Sequence, residues 1–308
     1  MLTILTKPPG FHPFIKEWLY YYIKKFSKRK RGPSSVLQSI IRGLDELNEP
    51  YVLNPFFSSQ INDMVLVPSG IETLKKTLKL RSEGKIKRLI VGPNITITPI
   101  DENSLLLNPN IDKILVPSEW VKNFFLSFDK NLESKIIIWP AGIDIKEKGV
   151  DDSKNQYLIF KKNTDEKLFE NICEYMRNNS IPFKVLEYGK FTKKEYLAEL
   201  KKSFAMVYLQ EIESQGIALL EAWSMNVPTF VWNPGSFVFK NYNKTVTGNI
   251  NAPYANEKTG DNFKDIEEFR RKLSTFIKNL NSYSPYEYAK ENFRDNITTA
   301  NLLKLLNI

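Results

Sequence analysis

The chain has 308 residues, of which 42% are hydrophobic and 26% charged, and this composition excludes intrinsic disorder, collagen and a coiled coil. At roughly 150 residues per domain, the length suggests two domains. No apolar run approaches the ~18 to 20 residues of a membrane-spanning helix. Because residues 1–7 also lack the basic flank and the cleavage site of a signal peptide, we expect a cytoplasmic protein.

Cysteine and histidine are too scarce for the common metal sites. The single cysteine, Cys173, excludes an internal disulfide and a zinc site made of several thiolates. The single histidine, His12, argues equally against a histidine-rich site. The net charge of +9 is local, because six cations within residues 24–31 account for all but +3 of it.

In the first half of the chain, short apolar runs alternate with longer amphipathic segments, a pattern typical of a parallel sheet with crossover helices. Strands are predicted at 2–6, 51–53, 63–67, 88–91, 113–116 and 135–139. Helices are predicted at 34–47, 71–84 and 118–127. A polar stretch at 142–155 is the predicted linker.

The same alternation then restarts. Strands are predicted at 157–160, 183–186, 205–209 and 229–232. Helices are predicted at 165–178, 193–202 and 214–225, and, after a polar loop at 233–261, at 265–280 and 285–306. The two halves predict an α/β molecule of two Rossmann-like domains facing a central cleft, where ligands bind at the carboxyl ends of the strands. The domains are predicted at 1–148 and 149–284, with a C-terminal helix, 285–308, packing back on the first.

The segment from Glu213 to Pro228 reads ESQGIALLEAWSMNVP and carries the most chemistry. It follows a buried strand and passes through a turn with Gly216 into a helix, whose free N–H groups and positive dipole end favour phosphate. Glu213 and Glu221 stand eight residues apart, ~12 Å along a helix, and can flank one elongated ligand. Carboxylates accept hydrogen bonds well from sugar hydroxyls. The alternative is a helix with an acidic start and one exposed glutamate.

This segment resembles the E-x7-E signature of retaining GT-B glycosyltransferases of family 4. The matching positions are Glu213, Ser214, Gly216, Glu221, Ala222 and Pro228. The resemblance implies that Glu213 meets the donor sugar, that amides from Gly216 to Ala218 meet the diphosphate, and that Glu221 holds the ribose. The predicted donor-binding set also includes Ser214, Gln215 and Ile217, with base contacts near Glu187 and Tyr188.

A second match follows the strand at 157–160. The family places two cations five residues apart on the donor diphosphate, and Lys162 and Lys167 have that spacing, with Lys161 as a rival for the first position. Cations there would stabilise the charge that develops on the leaving group. The alternative is a solvated, charged helix start. Gly32 stands where the family has a glycine loop over the sugar phosphate, although an ordinary loop fits it equally.

The resemblance also has implications for cofactors and for proton transfer. The co-substrate is a nucleotide-diphosphate sugar, and no metal or other cofactor is expected, in keeping with the lack of an Asp-x-Asp triplet. Attack on the sugar is expected from the front face, with help from the departing phosphate. His12 is a candidate to orient a sugar hydroxyl or to accept the acceptor's proton, and its alternative is polar surface.

The segment 14–31 mixes aromatic residues with the cation cluster. Such a mixture favours an anionic membrane surface, because aromatic rings prefer the lipid interface and lysines and arginines are attracted to anionic lipid. A solvated helix face with inward aromatics fits as well, and nucleic acid is the less favoured partner. Peripheral attachment to the inner face of a membrane is therefore one prediction for this segment.

Together these patterns predict a retaining glycosyltransferase of polysaccharide biosynthesis, which transfers a sugar to a hydroxyl of a glycan or a lipid-linked acceptor. A GT-B-like protein that binds nucleotide sugars without turnover is the first alternative. A nucleotide-sugar epimerase is the second, disfavoured because one histidine supplies little acid–base chemistry.

Overall fold

The computed structural model describes residues 1–7, 32–55, 57–146 and 154–308, which form two compact units. The first unit consists of Met1–Gly142 with Asp295–Ile308, and the second of Ile143–Arg294. Each is built on one parallel sheet with helices, so the predicted α/β fold class is confirmed. The predicted cleft concerns the arrangement of the two units and stays a prediction.

The first unit contains a six-stranded parallel sheet in the order β2-β1-β3-β4-β5-β6. Its strands β1 to β6 are Leu2–Ile4, Tyr51–Leu53, Met64–Ser69, Arg88–Asn94, Lys113–Val116 and Ile136–Ile138. Its helices α1 to α4 are Gly32–Leu47, Ile71–Ser82, Asp101–Ser104 and Glu119–Leu126. The predicted strands and long helices of this half are all present, with shifts at their ends.

The second unit contains a five-stranded parallel sheet in the order β13-β10-β9-β7-β8. Its strands β7 to β10 are Gln156–Lys162, Phe183–Glu187, Ser203–Gln210 and Thr229–Trp232. A hairpin of β11 and β12, Ser236–Phe239 and Lys244–Thr247, precedes the edge strand β13, Gly260–Phe263. Helices α5 to α9 are Glu166–Asn178, Lys193–Lys201, Ile217–Ser224, Ile266–Lys278 and Pro285–Asn292.

Strand β9 explains why the second sheet is covered on both faces. Its side chains alternate between the two faces, as the twofold repeat of a strand requires. Ala205, Val207 and Leu209 pack into one core, and Met206 and Tyr208 pack into the other. A strand that is apolar on both faces needs helices above and below, and α5 and α8 contribute to the first core while α6, α7 and α9 contribute to the second.

The prediction of one helix over 285–306 is wrong. Helix α9 ends at Asn292, and a last helix, α10, occupies Asp295–Leu306 in the first unit. The chain between them is held by the Ile143 N–H, which donates to the Phe293 carbonyl at 2.8 Å. That contact takes the backbone out of the helical ladder, and it joins residues 150 positions apart in the sequence, which no local pattern encodes.

The predicted loop at 233–261 is also more ordered than expected, because it contains the hairpin and the start of β13. The sequence of β13, GDNF, is poor in residues that favour strands. It becomes a strand because it pairs in parallel with β10, from Thr229↔Gly260 to Trp232↔Phe263.

Helix α10 is anchored in the first unit by its apolar face and by its start. Leu302 and Leu306 are fully buried in the same core as Ile40 of α1. The Trp139 indole N–H donates to the Thr298 carbonyl at 2.8 Å. Gly43 allows α1 to approach closely, because a Cβ there would overlap the Thr299 hydroxyl and lie 2.5 Å from the Asp295 carbonyl oxygen.

Replacing Gly43 by Ala is therefore expected to lower the free energy of unfolding by about 1–3 kcal/mol, the usual cost of overpacking a core. Urea unfolding followed by circular dichroism measures the change. Adding Thr299→Ala should restore part of the loss, since it removes the overlap with the hydroxyl and leaves those with the Cβ of residue 299 and the Asp295 carbonyl oxygen. An unchanged urea midpoint for Gly43→Ala would contradict this account of the contact.

Candidate active site

The order of strands in the second unit creates a topological switch point at the carboxyl ends of two interior strands, β7 and β9. From β7 the chain passes through α5 to β8 on one side, and it later returns to β9 on the other side. In sheets of this kind the ligand crevice lies at the carboxyl ends of the two strands where the connections diverge. Lys162 ends β7 and is paired in register with Gln210, which ends β9.

A charged cluster lies at this point. The Lys162 ammonium lies 2.7 Å from Oε2 of Glu213, and the Tyr208 hydroxyl donates to the same oxygen at 3.2 Å. The side chains of Lys162 and Glu213 are 22% and 15% exposed. The predicted lysine and the first predicted glutamate are thus brought together, recessed but not inside the apolar core.

The loop that carries Glu213 is pinned by backbone and amide contacts. The Glu213 N–H donates to the Ile250 carbonyl at 2.8 Å. The Asn251 amide, fully buried, donates to the carbonyls of Gln210 and Glu211 at 2.6 Å each. These contacts hold the backbone of the loop, and none of them uses the carboxylate oxygens of Glu213. Sequence reasoning missed Asn251, because it lies about 40 residues further along the chain.

Two tyrosines near Glu213, the fully buried Tyr208 and the half-buried Tyr254, remain protonated. Burial, followed by the charge of Glu213, raises the pKa of Tyr208 well above its usual value. Burial and the same charge raise the pKa of Tyr254. Tyr208 therefore donates a hydrogen bond to the carboxylate at any ordinary pH. No pattern in the sequence indicates this role, because the apolar run of β9 predicts only a buried aromatic residue at this position.

Helix α7 begins at Ile217, three residues after its predicted start. Gly216 precedes it in the left-handed conformation, with φ of 79° and ψ of 51°, which glycine adopts without strain. The first turn contains no acidic side chain, so its amide groups and dipole favour an anion. Of the predicted donor-binding residues here, Ser214 is exposed, Gln215 is buried, and Ile217 and Ala218 are half-buried.

The second predicted glutamate has a cation that sequence reasoning missed. The Lys193 ammonium lies 2.5 Å from Oε1 of Glu221, whose side chain is 12% exposed. Lys193 begins α6, 28 residues before Glu221. Each of the two glutamates is thus paired with a lysine from a different element.

The two rival lysines at the end of β7 have different surroundings. Lys161 lies within 2.7 Å of both carboxylate oxygens of Glu166, and its ammonium lies 4.2 Å from the centre of the Phe169 ring. Lys162 instead contacts Glu213. Lys167 is exposed in the first turn of α5 and forms no ion pair with any residue in the described ranges.

The predicted base-binding residues lie at the carboxyl end of β8, the neighbour of β7. Tyr188 is 55% exposed, its N–H donates to the Lys161 carbonyl at 2.9 Å, and the Lys162 ammonium lies 4.8 Å from the centre of its ring. Glu187 is half-buried and pairs with Lys190 at 2.7 Å. Lys190 lowers the pKa of Glu187, so this carboxyl is ionised at neutral pH.

The remaining predictions concern the start of the chain, the linker and attachment to a membrane. Gly32 is the first residue of α1 rather than part of a loop. His12 and the segment 14–31 lie outside the described residues, as does half of the predicted linker, 147–153. Their roles stay predictions. Within the described ranges, every helix is too short or too polar to span a membrane.

Neither protein-family models nor curated proteins match this sequence. Solved structures match by fold. A mutant of S. aureus TarM in complex with Fondaparinux, alpha-GlcNAc-glycerol and UDP has a TM-score of 0.52 at 12% identity, over 79% of this chain and 54% of that chain. The fold is therefore that of GT-B proteins such as TarM.

Two further structures have TM-scores below 0.5, and their likeness adds no argument. The pneumococcal O-GlcNAc transferase GtfA in complex with UDP and GlcNAc matches at 0.49 and 12% identity, over 81% of this chain and 58% of that chain. The UDP-GlcNAc 2-epimerase from Neisseria meningitidis bound to UDP-GlcNAc matches at 0.48 and 12% identity, over 100% and 99%. The chain spans little more than half the length of the TarM and GtfA structures.

Proposed function

We propose that this chain is a retaining GT-B glycosyltransferase that moves a sugar from a nucleotide-diphosphate donor to a hydroxyl of a glycan or a lipid-linked acceptor. The observation that carries the proposal is the cluster of Lys162, Glu213 and Tyr208 at the divergence of β7 and β9. Within this cluster, Glu213 stands three residues before Gly216, the glycine that precedes helix α7. A cation, a sugar-binding acid and an anion-favouring helix start thus occur together.

In this proposal each group has one chemical task. Lys162 and the amides after Gly216 hold the diphosphate, and they stabilise the charge that it gains as the bond to the sugar breaks. Glu213 accepts hydrogen bonds from the sugar hydroxyls, which orients the anomeric carbon. The acceptor oxygen forms the new bond on the same face, and its proton leaves with the departing phosphate. Glu221 binds the ribose, and Lys167 adds a second cation toward the diphosphate.

Product analysis tests the proposal. The protein is incubated with UDP-, GDP- and ADP-sugars and with glycan or lipid-linked acceptors, and the products are separated by liquid chromatography and identified by mass and by NMR. Free nucleoside diphosphate with an elongated acceptor supports transfer, and an unchanged anomeric configuration in the product supports the same-face attack. Binding without release of nucleotide would instead indicate a non-catalytic module, and an isomerised donor would indicate an epimerase. Absence of donor binding would reject the proposal as a whole.

Replacing Lys162 by Met is expected to weaken binding of the nucleoside diphosphate about 10- to 100-fold, the worth of a hydrogen bond to a charged group. Isothermal titration calorimetry measures the affinity. Lys161→Met is the matched control, because Lys161 is the preceding residue of the same strand but pairs with Glu166. Equal losses in both variants would count against a specific role for Lys162.

A further inference from the structure

The contact between Lys193 and Glu221 differs from an ordinary surface ion pair. The Glu221 side chain is 12% exposed, whereas that of Lys193 is 55% exposed. The carboxylate is therefore recessed, and the lysine reaches it from the side that is open to solvent. A pair between two fully exposed side chains would be mobile and worth little, but here one partner is held by the fold.

The backbone that carries Lys193 is also held in place. Helix α6 begins with a capping box, in which the Glu195 N–H donates to the Thr192 hydroxyl at 3.2 Å and the Thr192 N–H donates to the Glu195 carboxylate at 2.6 Å. One turn on from the cap, the Tyr196 hydroxyl donates to the Ala218 carbonyl at 2.6 Å. The first turn of α6 is thus hydrogen-bonded to the first turn of α7, and α7 is the helix that bears Glu221.

These contacts have a consequence for ligand binding. A glutamate side chain has three rotatable bonds, and ordering it when a ligand arrives costs free energy. An ammonium held by a second helix removes part of that cost in advance, and a preorganised group binds its ligand more tightly. One carboxylate oxygen of Glu221 is oriented in this way before any ligand is present.

We propose that Lys193 is a positioning residue, which orients the Glu221 carboxylate toward the ribose hydroxyls and so makes the site select ribonucleoside diphosphates. This inference rests on the proposed function, because Glu221 meets a ribose only if the second unit binds a nucleotide. Lys193 acts through Glu221, and its removal should therefore affect only ligands that carry the ribose hydroxyls.

Calorimetry with paired nucleotides tests this role. UDP, GDP and ADP are each compared with their 2′,3′-dideoxy counterparts, which lack both hydroxyls. The wild type should bind one ribonucleotide about 10-fold more tightly than its dideoxy counterpart, the worth of hydrogen bonds to a charged acceptor. Lys193→Met should lose most of that preference by weakening ribonucleotide binding alone. Lys193→Arg, which keeps the charge, should retain much of it.

The outcomes separate this inference from the proposed function. Lys194→Met is the matched control, because Lys194 is the next residue of α6 and is exposed, and it should leave the preference unchanged. If a ribonucleotide binds but Lys193→Met keeps the preference, or weakens both ligands equally, the positioning role is wrong and the proposed function stands. Tighter ribonucleotide binding in Lys193→Met would overturn it as well. If no nucleotide binds the wild type, both proposals fall.

Discussion

Glu213→Gln is expected to reduce sugar transfer about 10²- to 10³-fold, the usual cost of removing one preorganised electrostatic contact to the reacting group. The amide keeps the shape of the side chain but loses the negative charge that pairs with Lys162 and that, in the proposed function, binds the sugar. Binding of the nucleoside diphosphate without its sugar should stay near the wild-type level. Single-turnover rates, with the donor and acceptor found by product analysis, measure the effect.

Glu211→Gln is the matched control for this prediction. Glu211 lies two residues earlier in the same loop and is exposed, so its substitution tests the effect of a lost charge without the contact to Lys162. Near-UV circular dichroism should show both variants folded. If Glu213→Gln transferred sugar at a rate close to that of the wild type, the assignment of this carboxylate to the donor sugar would be untenable.

The second large effect is expected on stability. Arg42 of α1 places its Nε 2.5 Å from Oδ2 of Asp295, a residue that is only 2% exposed at the start of α10. Arg42→Met would leave a buried carboxylate without this cation, at a cost of about 3 kcal/mol in the free energy of unfolding. We expect the lower end of the usual range, because Arg42 itself is 37% exposed and solvent screens part of the pair.

Urea unfolding of two further variants checks the cause of this loss. The double substitution Arg42→Met with Asp295→Asn removes the charge as well as its partner, and should recover much of the stability. Lys87→Met breaks an exposed pair with Asp63 and should cost less than about 1 kcal/mol. If the double variant were no more stable than Arg42→Met alone, the loss would come from packing rather than from an unpaired charge.

Several features of the fold were predictable because they are encoded locally. The short apolar run of β9 and the longer repeats of the helices are visible in short windows of sequence, so the two parallel α/β sheets could be predicted. The left-handed turn at Gly216 could be predicted for the same reason, since glycine adopts this conformation before a helix without strain. Strand β13 was missed because its four residues have little strand propensity of their own and depend on β10.

The contacts of the candidate site could be predicted only in part. The resemblance brought Lys162, Glu213 and Glu221 together as one site, although Lys162 and Glu213 are 51 residues apart. It left Lys161 and Lys162 as rivals. Adjacent residues of a strand point to opposite faces, so only one of the two lysines at the end of β7 can face Glu213. In the structure it is Lys162, which is paired with Gln210 at the end of β9.

The amino-acid sequence by itself determined two α/β halves, the glycine turn before α7 and the pair of glutamates that bracket it. Only the tertiary structure decided that Lys193 is the partner of Glu221, that Tyr208 donates to Glu213, and that α10 belongs to the first unit. The physical reason is the separation of the interacting residues along the sequence. Repeats, caps and turns depend on residues a few positions apart, whereas these partners meet only when distant segments pack against one another.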